Sequence, residues 1–90
     1  MTPLEHAKEV AAAAALAQWP HMVDEKGPTA TVYAWSNKRM DGGFRADFKS
    51  DGTADIHALP IVPGKSQKGT GVQSVTAREW LCDVVTGRNR

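Results

Sequence analysis

The stretch FRADFKSDGTADIHAL, Phe44 to Leu59, decides how this chain folds. Phe44, Ala46 and Phe48 alternate with Arg45, Asp47 and Lys49, and beyond Ser50, Asp51 and Gly52 the alternation resumes as Ala54, Ile56 and Ala58. A period of two marks a strand with one covered face, so the spacing predicts a β-hairpin. A two-residue Asp51-Gly52 loop would set Phe48 opposite Asp55 and Ala46 opposite His57, mixing the faces. A three-residue loop with Gly52 in the left-handed conformation pairs Phe48 with Ala54, Ala46 with Ile56 and Phe44 with Ala58. In this second register one side is wholly apolar and must be covered. The other side carries Arg45, Asp47, Lys49, Asp55 and His57.

Working outward, Thr29 to Trp35 is rich in β-branched and aromatic residues and reads as a strand. Val32 and Ala34 lie on one face and Thr31, Tyr33 and Trp35 on the other; the sequence leaves open which face is buried. Ser36 to Gly43 is a long loop with Lys38 and Arg39 at its tip. At the N-terminus, Thr2-Pro3-Leu4-Glu5 is a helix start, with Thr2 as cap, Pro3 at the first helical position and Glu5 reaching back as the third. That helix is expected to run to about Gln18, with Leu4, Ala11, Ala15 and Trp19 along its inner stripe and Leu16 and Trp19 supplying most of the buried area. Residues 21–28 show no sustained period and read as a polar connector closed by Gly27-Pro28. The stretch from Pro60 to Gly71 is rich in Gly, Lys, Ser, Gln and Thr and reads as the most mobile part of the chain. Thr76-Ala77-Arg78-Glu79 repeats the capping-box pattern, Val75 and Trp80 are spaced as a hydrophobic staple, and Gly87 is the stop, with Arg88 and Arg90 near the negative end of the helix dipole.

These elements predict an α+β fold: a helix, a three-stranded antiparallel meander and a second helix, with both helices on the apolar face of the sheet. Phe44, Phe48, Ile56, Trp19, Leu16, Trp80, Leu81 and Val84 are expected to meet there. Ninety residues form a single domain, 1–90. A complete reading frame beginning at Met1 is expected. Free edges on so short a sheet also offer pairing with a second copy, so a homodimer is among the expected assemblies.

The composition, 41% hydrophobic and 23% charged, is that of an ordinary globular chain. A net charge of +1 denies the domain a broad positive field for nucleic acid or an anionic membrane. Cys82 is the only cysteine, which excludes an internal disulfide and points to a reducing compartment. Val10 to Ala17 imitates a signal-peptide core, but Glu5 and Glu9 stand where basic residues belong and the core is alanine, so no export is expected. No run is apolar and long enough to span a membrane. The expected location is cytoplasmic.

No catalytic constellation emerges, and no enzyme, metal or cofactor is expected. His6, His21 and His57 fall in three different elements without ligand spacing and read as surface histidines. Cys82 with His57 is the one cysteine–histidine option, but the setting of Cys82 beside Leu81, Val84 and Val85 is that of a small buried thiol. Asp47, Asp55 and His57 share the polar side of the hairpin, where solvated cross-strand charge pairs are the common case. Pro63-Gly64-Lys65-Ser66 resembles part of a phosphate loop, but the glycine needed five residues before Gly64 is Leu59.

The non-catalytic signal is basic residues around aromatics. Tyr33, Trp35, Lys38, Arg39, Arg45, Lys49, Lys65 and Lys68 are the expected partner-binding residues, suited to an acidic protein surface or to single-stranded nucleic acid. The order of helix, three strands and helix, with Gly69-Thr70-Gly71 before a helix start at Ser74 to Ala77, resembles the double-stranded-RNA-binding domain, which implies direct nucleic-acid binding. Val75-Thr76 stands where that family carries a lysine pair. By size and layout the chain also resembles the small phage-encoded inhibitors of bacterial defence, including anti-CRISPR proteins. That resemblance implies a non-enzymatic protein in the host cytoplasm that occupies a surface of a bacterial protein or ribonucleoprotein complex.

Overall fold

The computed structural model describes residues 1–39 and 41–87. Helix α1 spans Pro3–Leu16, followed by strands β1 (His21–Lys26), β2 (Thr29–Trp35), β3 (Gly43–Phe48), β4 (Thr53–Leu59) and β5 (Gln67–Gln73) and by helix α2 (Ser74–Thr86). The strands form one antiparallel sheet in the order β1-β2-β3-β4-β5. The α+β class stands, but the expected three-stranded meander is corrected to five strands. The three-stranded layout that resembled the double-stranded-RNA-binding domain is therefore not the one the chain adopts. Arg88 and Arg90 lie outside the described residues.

The central hairpin has the register read from its alternation: Phe48 pairs with Ala54, Ala46 with Ile56 and Phe44 with Ala58. Gly52 takes φ +84° and donates its N–H to the Lys49 carbonyl at 3.4 Å. Strand β2 turns Ala30, Val32 and Ala34 inward, which settles its buried face and places Tyr33 and Trp35 on the other.

The two additional strands lie at the sheet edges. β1 replaces the expected connector because Gly27-Pro28 is a two-residue hairpin turn, with Gly27 at φ +68° in the first central position. Its period is hidden because, of the inward residues His21, Val23 and Glu25, only Val23 is aliphatic. β5 replaces the expected mobile segment. The chain entering it is organised by buried Ser66, whose Oγ accepts the Val62 N–H and also bonds the Pro60 and Val62 carbonyls. Two register shifts against β4 mark bulges, so β5 has no regular alternation to read.

Both helices cover one side of the sheet and pack against each other, α1 over β1 to β3 and α2 over β4 and β5. Thr2 and Glu5 form the expected capping box. The inner stripe is Ala7, Val10, Ala11 and Ala14, rotated from the expected one, and Leu16 is 87% exposed instead of buried. In a run of alanines, bulk does not mark which ones face inward. His6 is buried too, contrary to a surface histidine, and stacks on Phe48 with ring centroids 5.5 Å apart. The helix ends before Gln18, which takes φ +61°, and Trp19 folds back beside Phe44.

Helix α2 starts at Ser74, ahead of the expected cap, because β5 delivers the chain directly into it. Gln73 precedes the helix without a side-chain cap, and the Ser74 N–H is satisfied across space by the Gly52 carbonyl at 2.9 Å. Thr76 and Glu79 therefore lie within the helix, and Trp80 is 45% exposed instead of in the core. Phe48, Leu81, Val10 and Val32 are the largest fully buried side chains.

Candidate functional site

With both helices on one side, the other side of the sheet has no core role. Strand alternation determines what it carries. Met22, Asp24 and Lys26 come from β1, Thr31, Tyr33 and Trp35 from β2, Arg45 and Asp47 from β3, and Asp55 and His57 from β4. Register aligns Met22, Tyr33, Arg45, His57 and Gln67 in one row across all five strands.

Tyr33 and Trp35, two residues apart on one strand, stack with ring centroids 5.9 Å apart and planes within 8°. Gly43 stands opposite Trp35. A Cβ there would fall 2.1 Å from the Ala34 carbonyl oxygen and 2.8 Å from the Trp35 Cα, so only glycine fits. The Arg45 guanidinium lies 5.8 Å from the Tyr33 ring centroid, within cation–π range.

Asp47 fixes that guanidinium. Its Oδ1 accepts from Arg45 Nε at 3.1 Å and from the buried Thr31 hydroxyl at 2.6 Å. The hydrogen bond that Arg45 donates to Asp47 is the main cause that raises the Arg45 pKa above its ordinary value. Asp47 Oδ2 lies 4.0 Å from His57 Nδ1, an enclosed nitrogen with no hydrogen-bond partner. Beside this cluster Lys49 Nζ meets Asp55 Oδ2 at 2.8 Å, which holds the Asp55 carboxyl below its ordinary value and raises the lysine. Asp55 also accepts the Gly71 N–H at 3.0 Å, tying β5 to the same face.

The structure thus brings Tyr33, Trp35 and Arg45 together, whereas Lys49 lies at the turn end of β3, away from Trp35, and pairs with Asp55. Lys38 and Arg39 stand in the loop beyond Trp35; Lys38 lines a hollow with Trp35 and His21, and Arg39 lies 3.9 Å from Asp41. Lys65 is exposed in the turn before β5. Lys68 is the additional residue where Ile56 and His57 oppose Gly69 and Gln67, and this bulge places it beside Trp80, toward the helix side. Asp47 and Thr31, the acceptor and the buried hydroxyl that organise the face, were not among the expected site residues. Their signal was the register itself, which sets them opposite each other.

Chemically, this face offers flat aromatic surface and a fixed guanidinium, framed by carboxylates that balance its cations: Asp47 for Arg45, Asp55 for Lys49 and, at 3.7 Å, Asp24 for Lys26. Cys82 packs on the α1 side of the sheet, its Sγ 3.9 Å from the Glu9 carbonyl, so it and His57 lie on opposite sides. Among the described residues, no group of three or more His, Cys, Asp and Glu side chains could hold a metal ion, and no helix is long and apolar enough to cross a membrane. No protein-family model matches the sequence, and no curated protein or solved structure matches it either.

Proposed function

We propose that the protein is a non-enzymatic binding protein that docks the open face of its sheet onto another protein. In this reading it occupies a surface of a bacterial defence or nucleic-acid-handling complex, in the host cytoplasm, as a small mobile-element inhibitor would. The observation that carries the reading is the Tyr33–Trp35 stack with Arg45 fixed over Tyr33 by Asp47. Tyr, Trp and Arg are the residues that dominate protein interface energies, because they bury large rigid area and pair specifically. Carboxylates matched to Lys26, Arg45 and Lys49 favour a protein partner over nucleic acid, since a phosphate backbone brought to this face would meet Asp24, Asp47 and Asp55.

One observation favours direct nucleic-acid binding as a second reading: stacked aromatics beside an arginine are also a platform for unpaired bases. One experiment separates the two. The tagged chain and a Trp35→Ala/Arg45→Glu variant are used to capture partners from a bacterial lysate, with and without nuclease, and Glu79→Lys on the outer side of α2 is the control. A protein partner that survives nuclease, is kept by the control and is lost by the face variant supports protein docking. Partners that vanish with nuclease support the second reading, and partners unaffected by the face variant overturn both.

A further inference from the structure

The helix side of the sheet is not fully closed. Beyond the end of α1, between α2 and strands β3 and β4, lies a cavity of about 550 Å³ walled by Trp19, Phe44, Ile56, Ala58, Trp80 and Val84. Its volume falls in the range of sites that take small organic molecules. A smaller hollow of about 190 Å³ shares Ile56, Lys68 and Trp80 with it, so the two adjoin. Sheet, helix and the returning Trp19 bound the cavity on three sides, a concave shape suited to a small molecule.

Charge narrows the class of ligand. Lys68 lines both hollows, and among the described residues no carboxylate lines either of them. Among the described residues Lys68 also makes no ion pair, whereas Arg45 and Lys49 on the opposite face are matched. Its position follows from the β5 bulge, which places this residue beside Trp80. The result is a half-open, mostly apolar hollow, with Ser36 and His57 also in its lining and, among the described residues, one cation without an ion pair at its border.

We infer that this cavity binds a small hydrophobic carboxylic acid, its apolar body among Trp19, Phe44 and Trp80 and its carboxylate at Lys68 Nζ. The site lies across the sheet from the open face and does not depend on the function proposed for it. Titration of the full chain with decanoate, decanol and decylammonium, followed by heteronuclear NMR, tests the inference. Saturable shifts centred on the Trp19 and Trp80 indoles and on Ile56 are expected for decanoate and decanol, with decylammonium binding most weakly. Lys68 is exposed, so Lys68→Glu leaves the fold intact; it weakens decanoate on the order of five-fold, as expected for reversing one exposed ion pair, and leaves decanol unchanged. Val84→Trp fills the cavity and abolishes binding of both; should that variant fail to fold, Lys68→Glu decides. Absence of saturable shifts, shifts centred on Tyr33 and Trp35, decylammonium binding as tightly as decanoate, or indifference of decanoate to Lys68→Glu would each overturn the inference.

Discussion

At the scale of single residues, Asp47 and His6 have opposite roles on the two sides of the sheet. Asp47 is an acceptor shared by Thr31 and Arg45, so Asp47→Ala leaves a buried hydroxyl without a partner and frees the guanidinium. The expected cost is about 1–3 kcal/mol, the usual penalty for an orphaned buried polar group, read as a lower urea midpoint. An unchanged midpoint would show that the cluster contributes nothing to the fold. His6 is enclosed by the core and faces Arg78, whose Nη1 lies 3.3 Å from His6 Nδ1 while its Nε pairs with Glu9 at 3.2 Å. Burial, and after it the Arg78 charge, push the imidazole below its ordinary value, so the fold holds it neutral. The unfolded chain therefore takes up this proton first, from about pH 6.5 downward. Stability present above that pH falls as pH drops toward the native imidazole value and levels off below it. Urea unfolding between about pH 8 and pH 5 is expected to show this slope in the native chain, and His6→Phe, which keeps the stack on Phe48, is expected to flatten it. An equal slope in both proteins would place the titration elsewhere.

At the scale of elements, the sheet is built by its turns and close approaches. Gly52 takes φ +84° and a Cβ added there would meet nothing within 4 Å, so Gly52→Ala brings only backbone strain and is expected to cost about 1 kcal/mol. Gly43 differs in kind: a Cβ would overlap the Ala34 carbonyl oxygen at 2.1 Å, forcing β2 and β3 apart beneath Trp35. Gly43→Ala is expected to cost about 3 kcal/mol or more, at the upper end of overpacking. Thermal unfolding of the two variants gives the ranking directly, and a Gly52 variant less stable than the Gly43 variant would contradict the register between β2 and β3. The edge strands differ from the interior ones for the same physical reason. β1 and β5 bury little, and they are held by backbone pairing, by the Gly27-Pro28 turn and by the Asp55 bond to Gly71.

At the scale of the whole molecule, the balance of charge sets the field that the proposed docking face would present to a partner. A net charge of +1 and matched ion pairs on the open face leave little long-range field. Association through that face is therefore expected to change less than about twofold in rate as salt rises from about 0.01 M to 0.15 M, although the Debye length falls from about 30 Å to 8 Å. A steep loss of affinity with salt, measured in the same titration, would instead be the signature of phosphate contacts and would favour the nucleic-acid reading.

Where side-chain pattern and backbone chemistry act locally, the sequence determined the outcome. The apolar alternation and the Ser50-Asp51-Gly52 turn set the central register, Thr2 to Glu5 set the first cap, and the placing of Tyr33, Trp35 and Arg45 on one face follows from strand parity once β2 turns Ala30, Val32 and Ala34 inward. Tertiary structure alone decided the rest. An edge strand buries too little to show a period, which hid β1 and β5. Alanines cannot mark a buried face, which left the rotation of α1 to the packing of His6 and Val10. The cap of α2 came from the distant Gly52 carbonyl rather than from Thr76, and a bulge sent Lys68 to the cavity beside Trp80. Each of these depends on a neighbour far away in the chain, and residue spacing carries no record of such neighbours.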